Sequence, residues 1–139
     1  MAMNENGKNI RPSAFAGTFY PANPNKLDTM IDEFLDRAPG EAVDGDIFGI
    51  IAPHAGYVYS GPTAAAAYKQ IIGKNYTSAI VLAPSHRELL RTASIAQYDS
   101  YETPFGILPV NKKLAEAIIQ GSENIGFSLK GHDVQGEQS

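Results

Sequence analysis

Two short apolar runs, each closed by a proline, constrain the fold of this chain more than any other feature of its sequence. The first run occupies residues 47–52 and the second occupies residues 79–83. Uninterrupted apolar runs of this length are typical of strands that are buried on both faces of a sheet. The Ala-rich segment between them, residues 62–72, predicts a helix with Pro62 near its first turn. Strand, helix and strand in this order predict a βαβ unit with a right-handed crossover, and hence an α/β fold with a parallel or mixed sheet.

Local signals predict further elements on either side of this unit. Asn23 predicts the beginning of an amphipathic helix that ends before Pro39, and a second amphipathic helix is expected to begin near Asn111. Residues 92–97 are a weaker candidate strand, and residues 103–106 have the composition of a turn. The predicted organisation is a disordered tail at residues 1–10, an α/β domain at residues 11–120 and an irregular, Gly-rich tail at residues 121–139.

Charge and composition exclude several classes of protein. Eleven Lys and Arg residues against fifteen Asp and Glu residues give a net charge of −4, so a nucleic-acid partner is not expected. The chain has no cysteine, which excludes disulfides and thiolate metal sites within it. No segment approaches the ~20 apolar residues of a membrane span, and the polar N-terminus has no signal-peptide pattern. We therefore expect a cytoplasmic protein that has no membrane partner.

Two histidines follow the predicted strands at similar positions. His54 comes two residues after the first apolar run, and His86 comes three residues after the second. Because the carboxyl ends of parallel strands in such a unit lie at the same edge of the sheet, both imidazoles are expected to project into one crevice. Imidazole is a common metal ligand and also an acid or base, so this pattern predicts a metal site. The alternative is that each is a loop histidine that is hydrogen-bonded to nearby backbone.

Three further side chains near these histidines are candidates for lining a pocket, namely Tyr57, Tyr59 and Ser85. The tyrosines lie in a Gly-rich turn that enters the predicted helix, where aromatic side chains more often serve to pack against their neighbours. Ser85 is adjacent to His86, but no Gly-x-Ser-x-Gly elbow surrounds it, so a serine hydrolase is not expected.

Four longer motifs occur in order along the chain: AGTFYPANP at residues 16–24, IIAPHAGYVYSGP at residues 50–62, LAPSHR at residues 82–87 and YETPFGILPV at residues 101–110. Together they resemble the Memo family, whose bacterial and archaeal members are often called AmmeMemoRadiSam system protein B. The resemblance implies a fold related to the class III extradiol ring-cleaving dioxygenases, which are non-haem iron enzymes. In that family the histidines of the APHAGY and PSH motifs are metal ligands, and they correspond to His54 and His86.

The same resemblance implies that the metal site is incomplete in this chain. Memo proteins are longer, and the family's third metal ligand and its acid–base histidine lie in a half that these residues do not match. Gln138 stands where the family pattern has a histidine, and no role is assigned to His132. The expected cofactor is a divalent metal ion, iron by resemblance, with an incomplete ligand set. We therefore expect a truncated, extradiol-dioxygenase-like domain of unknown reaction that is not catalytically competent on its own.

Two other interpretations stay open on the sequence alone. In the first, the chain is a non-catalytic module that binds a protein or peptide, with the surface around Tyr57 and Tyr59 as its recognition surface. In the second, it is a fragment or a prematurely ended product, and its unpaired sheet edge favours self-association. In every case the partner is an unknown small molecule or protein.

Overall fold

The computed structural model describes residues 7, 9–40, 43–129 and 131–132. The chain forms two compact units. The helical unit is Phe15–Thr77, and the sheet unit combines Met1–Ala14 with Ser78–Ser139. Most of the predicted disordered tail, residues 1–10, and the end of the predicted irregular tail lie outside the described residues. Within the described part of the chain, none of the helices has both the length and the apolar character that crossing a membrane requires.

The first helix, α1, occupies Pro24–Arg37 in the helical unit, which confirms the sequence prediction. The Asn23 side chain caps it by accepting a hydrogen bond from the Lys26 N–H at 3.1 Å, and a proline begins its first turn. Its apolar stripe includes Leu27, which is only 3% exposed. The local signals for this helix are therefore sufficient to place both of its ends.

The second helix, α2, occupies Tyr57–Tyr68, so the prediction that it begins near Pro62 is wrong. The cause is tertiary: the ring centroids of Tyr57 and Tyr20 lie 5.4 Å apart, and the Tyr57 N–H donates to the Phe19 carbonyl at 2.8 Å. These contacts hold the first turn of α2 in place. They offset the backbone hydrogen bond that Pro62, now inside the helix, cannot donate.

The packing of α1 against α2 depends on the absence of a side chain at Gly61. A Cβ atom at this position would lie 2.3 Å from Cε2 of Phe34 on α1. A short 3-10 turn, Lys69–Ile71, follows α2, and Lys69 Nζ donates to the carbonyls of Leu35 and Ala38, each at 2.9 Å. These carbonyls lie at the end of α1, where no further helical turn follows to donate backbone N–H groups to them. The two helices are thus joined by a steric and a hydrogen-bonding contact.

The described residues of the sheet unit form five short strands and one helix. They are β1 (Ile10–Arg11), β2 (Ala93–Ile95), β3 (Ser100–Thr103), β4 (Gly106–Pro109), α3 (Lys112–Gln120) and β5 (Ile125–Phe127). β3 pairs in parallel with β1 and in antiparallel with β4, and a separate sheet pairs β2 with β5 in parallel. Asn111 caps α3 by accepting from the Leu114 N–H at 3.1 Å. Parallel and mixed sheets combined with helices confirm the α/β class.

The parallel strands of the βαβ arrangement are not the predicted ones. β2 and β5 are parallel, and the chain between them includes α3. Among the described residues, neither residues 47–52 nor residues 79–83 form a strand, and β5 lies in the tail that was predicted to be irregular. Phe48 and Leu82, one from each apolar run, are 98% and 91% exposed. A strand requires a neighbouring strand for its backbone, and among the described residues neither run pairs with one.

Gly61→Ala is expected to destabilise the chain by about 1 kcal/mol. Overpacking against Phe34 costs roughly 1–3 kcal/mol, and the helix-propensity gain of about 0.8–1 kcal/mol offsets part of that cost. Urea denaturation measures the change in the free energy of unfolding. In a Phe34→Leu background the ring is absent, so the same substitution should cost less. An equal cost in both backgrounds would contradict this account of the packing.

Tyr57→Phe is expected to reduce the loss of stability at alkaline pH. Burial raises the pKa of Tyr57 above its ordinary value of 10.0, and the nearby Tyr20 and Tyr68 raise it further. Because the folded-state pKa is raised, this stabilising contribution is complete below about pH 10 and is lost as the pH rises through the folded-state pKa. Urea denaturation at a series of pH values should show a shallower fall for Tyr57→Phe. Tyr59→Phe is the matched control, since Tyr59 is 85% exposed, and equal slopes for the two variants would refute the prediction.

Candidate metal centre

His54 lies in the helical unit, on an exposed segment that leads into α2. Gly56 is the N-cap of this helix, so only Ala55 lies between the cap and His54. Ser60, in the first turn, donates from Oγ to the Ala55 carbonyl at 3.0 Å. The hydrogen bond ties the segment to the helix. The first turn of α2 therefore positions the backbone next to His54 while the histidine side chain stays exposed.

His86 lies in the sheet unit, on a turn that Ser85 organises. Ser85 Oγ donates to the Glu88 carbonyl at 2.8 Å and lies 3.2 Å from the Glu88 N–H, which donates to it. A side chain that bonds both backbone groups three residues ahead stabilises a tight turn. His86 is exposed on this turn, and Ser85 is half-buried beneath it. The contacts of Ser85 thus explain the local geometry around His86, and its role in a pocket stays a prediction.

The two candidate tyrosines have different environments at the beginning of α2. Tyr57 is half-buried against Tyr20, whereas Tyr59 is 85% exposed. A shallow cleft of about 410 Å³ lies between α1 and α2 in the helical unit. Its lining residues are Lys26, Thr29, Met30, Glu33, Phe34 and Val58, and neither candidate tyrosine is among them. For Tyr57 the structure shows packing contacts, and the assignment of both tyrosines to a pocket stays a prediction.

His132, to which the sequence assigns no role, contacts β2. Its Nε2 lies 2.7 Å from Ser94 Oγ and 3.1 Å from the Ser94 carbonyl oxygen. Both contacts involve Nε2, and they hold the imidazole beside β2. No signal in the sequence predicts this pair, because its members are separated by 38 positions and belong to no common motif.

The donor chemistry of His54 and His86 suits a divalent transition metal. Imidazole is a ligand for iron, zinc, copper and nickel, and a facial iron site combines two histidines with a carboxylate. The structure groups His54 with the tyrosines at the start of α2, and it groups His86 with Ser85 in one turn. Within residues 9–40, 43–129 and 131–132, no three His, Asp or Glu side chains are clustered for a metal ion. The assignment of His54 and His86 as metal ligands therefore stays a prediction.

Sequence comparisons identify the relatives of this chain. Residues 11–138 match the family profile described as Memo-like protein. A MEMO1 family protein from Nitrosopumilus maritimus is 38% identical over 127 residues, which cover 88% of this chain and 46% of the relative. Another, from Thermotoga petrophila, is 37% identical over 139 residues, covering 90% of this chain and 50% of the relative. The Protein memo-1 homolog of Caenorhabditis elegans is 37% identical over 118 residues, which cover 85% of this chain and 33% of the relative.

The chain spans about half the length, or less, of these curated relatives. The matched region contains both candidate ligands, His54 and His86, and all four motifs on which the resemblance depends. A profile match over most of the chain, together with relatives above one-third identity, confirms the family predicted from those motifs. The chain belongs to the Memo family.

Proposed function

We propose that this chain contributes two histidine ligands to a non-haem metal site, with iron as the metal. The observation that carries the proposal is the exposure of His54 and His86 on turns that are internally hydrogen-bonded. Both lie in motifs that resemble the metal-binding motifs of the Memo family. An exposed imidazole on an ordered turn presents its ring to an ion and limits the positions that the ring can take.

Two imidazoles hold a divalent ion weakly and leave its coordination geometry undefined, because a facial iron site requires a third protein ligand. A bound iron ion supplies a Lewis acid and positions for small ligands. The part that His54 and His86 take in this chemistry is to hold and orient the ion. The proposal therefore covers metal binding, with the physiological reaction unknown and no catalytic competence for this chain alone. The resemblance of the family to the extradiol dioxygenases supports iron over other metals.

Anaerobic Fe(II) titration, followed by NMR of the histidine side chains, tests whether one ion contacts both imidazoles. We expect the ring signals of His54 and His86 to broaden in parallel, at the same metal concentrations. Replacing either histidine with alanine should weaken metal binding at the other by at least about tenfold, since one coordination bond is lost. Both variants should keep the parent's free energy of unfolding within about 0.5 kcal/mol, because both side chains are exposed.

His132→Gln is the matched control, because the His132 ring contacts Ser94. This variant should leave the Fe(II) titration of His54 and His86 unchanged. Ring signals that broaden at different metal concentrations, or alanine variants that leave the other histidine unaffected, would refute a shared ion. The iron content after dialysis then tests whether the ligand set is complete. Stoichiometric iron would contradict an incomplete ligand set, and loss of iron would support an incomplete one.

A second candidate function, a non-catalytic module that binds a protein or peptide, is favoured by the exposed side chains at the beginning of α2. Val58 and Tyr59 are 68% and 85% exposed, and Val58 also lines the cleft between α1 and α2. Exposed aromatic and apolar side chains beside a cleft are suited to anchoring a peptide. Screening a displayed peptide library with and without Fe(II) separates the candidates. Peptides that require Tyr59 and bind equally well without metal would favour the module.

A further inference from the structure

One side of the cleft between α1 and α2 is polar and carries opposite charges at its two ends. Three exposed side chains of α1 line this side, namely Lys26, Thr29 and Glu33. Their spacing of three and four positions places them in one row along the helix. Lys26 and Glu33 are seven positions apart, which corresponds to about 10 Å along the helix axis. The row therefore presents an ammonium group at one end, a carboxylate at the other and a hydroxyl between them.

The rest of the cleft lining is apolar. Met30 and Phe34 of α1 and Val58 of α2 supply it. Met30 and Phe34 are half-buried, whereas Val58 is 68% exposed. The cleft volume of about 410 Å³ lies within the range of roughly 300–1,000 Å³ that is usual for small-molecule sites. An apolar lining beside a few polar groups is also the usual composition of such sites.

Helix stability does not explain the charge at the Lys26 end of the cleft. Acidic side chains stabilise the first turn of a helix, because its N-terminus carries a partial positive charge. The first turn of α1 has no acidic residue and contains Lys26. A ligand anion at this end would be attracted by both the ammonium group and the positive end of the helix. At the other end Glu33 Oε2 lies 3.7 Å from Arg37, an exposed ion pair for which a ligand cation can compete.

We propose that this cleft binds zwitterionic tripeptides whose middle residue is apolar. An extended peptide spans at most about 3.3–3.6 Å per residue, so three residues match the separation of about 10 Å between the two charged ends of the cleft. The ligand carboxylate pairs with Lys26, the ligand ammonium pairs with Glu33, and the middle side chain packs on the apolar lining. The proposal does not depend on the metal site. It also differs from the peptide-binding module, because the cleft recognises free termini rather than an internal segment of a longer chain.

NMR titration of the full 139-residue chain with glycyl-leucyl-glycine, in the absence of added metal, tests the proposal. We expect saturable shifts of the side-chain signals of Met30, Phe34 and Val58, with a Kd on the order of 1 mM. Triglycine lacks the apolar side chain and should bind at least about threefold more weakly.

Capped tripeptides and charge variants test each end of the cleft separately. The N-acetylated and the C-amidated tripeptide should each bind about two- to fivefold more weakly than the free form, which is the range expected for an exposed ion pair. Lys26→Gln should weaken binding of the free form by a similar factor and leave the amidated form unaffected, and Glu33→Gln should likewise spare the acetylated form. Both side chains are exposed, so these variants should keep the parent fold. Asp36→Asn is the matched control, because Asp36 is an exposed carboxylate of α1 outside the cleft lining, and this variant should bind as tightly as the parent chain.

Three results would overturn the proposal. The absence of saturable shifts at Met30, Phe34 and Val58 would show that the cleft does not bind the tripeptide. A tripeptide capped at both ends that binds as tightly as the free form would assign the cleft to an internal peptide segment. Equal weakening of the free and amidated forms by Lys26→Gln would show that Lys26 does not pair with the ligand carboxylate. None of these results bears on the metal site, which the Fe(II) titration tests separately.

Discussion

The need of extended backbone for a hydrogen-bonding partner decides which apolar segments of this chain become strands. β2 and β5 meet in parallel, and β1 finds a partner in β3, so modest sequences such as Ala93–Ile95 form sheet. Residues 79–83 are more apolar than any of these strands, yet they remain unpaired among the described residues. Hydrophobicity drives burial, but it does not supply the N–H and C=O partners that a strand requires. Strand formation is therefore a property of pairs of segments, and a segment without a partner exposes the side chains that would stabilise it.

The sequence predicts the elements that depend on local interactions, and it fails to predict those that depend on a distant segment. α1 and α3 are predicted well because their caps act locally: Asn23 bonds the N–H of Lys26, and Asn111 bonds that of Leu114, each three positions ahead. The beginning of α2 was missed because it depends on Tyr20, which is distant in sequence from Tyr57. β5 was missed for a similar reason, since three residues in a Gly-rich stretch become a strand only where β2 lies beside them.

The candidate site also combines local features, which the sequence predicts, with long-range features, which it does not. His54 and His86 are recognisable from their motifs, and the turn that Ser85 makes with Glu88 is a short-range feature of the same segment. The ligand set is different, because it depends on side chains brought together from distant parts of a polypeptide. The two predicted strands would bring both imidazoles to one sheet edge, but those strands are not formed among the described residues. The metal proposal therefore draws its support from the motifs and from the exposure of the two rings.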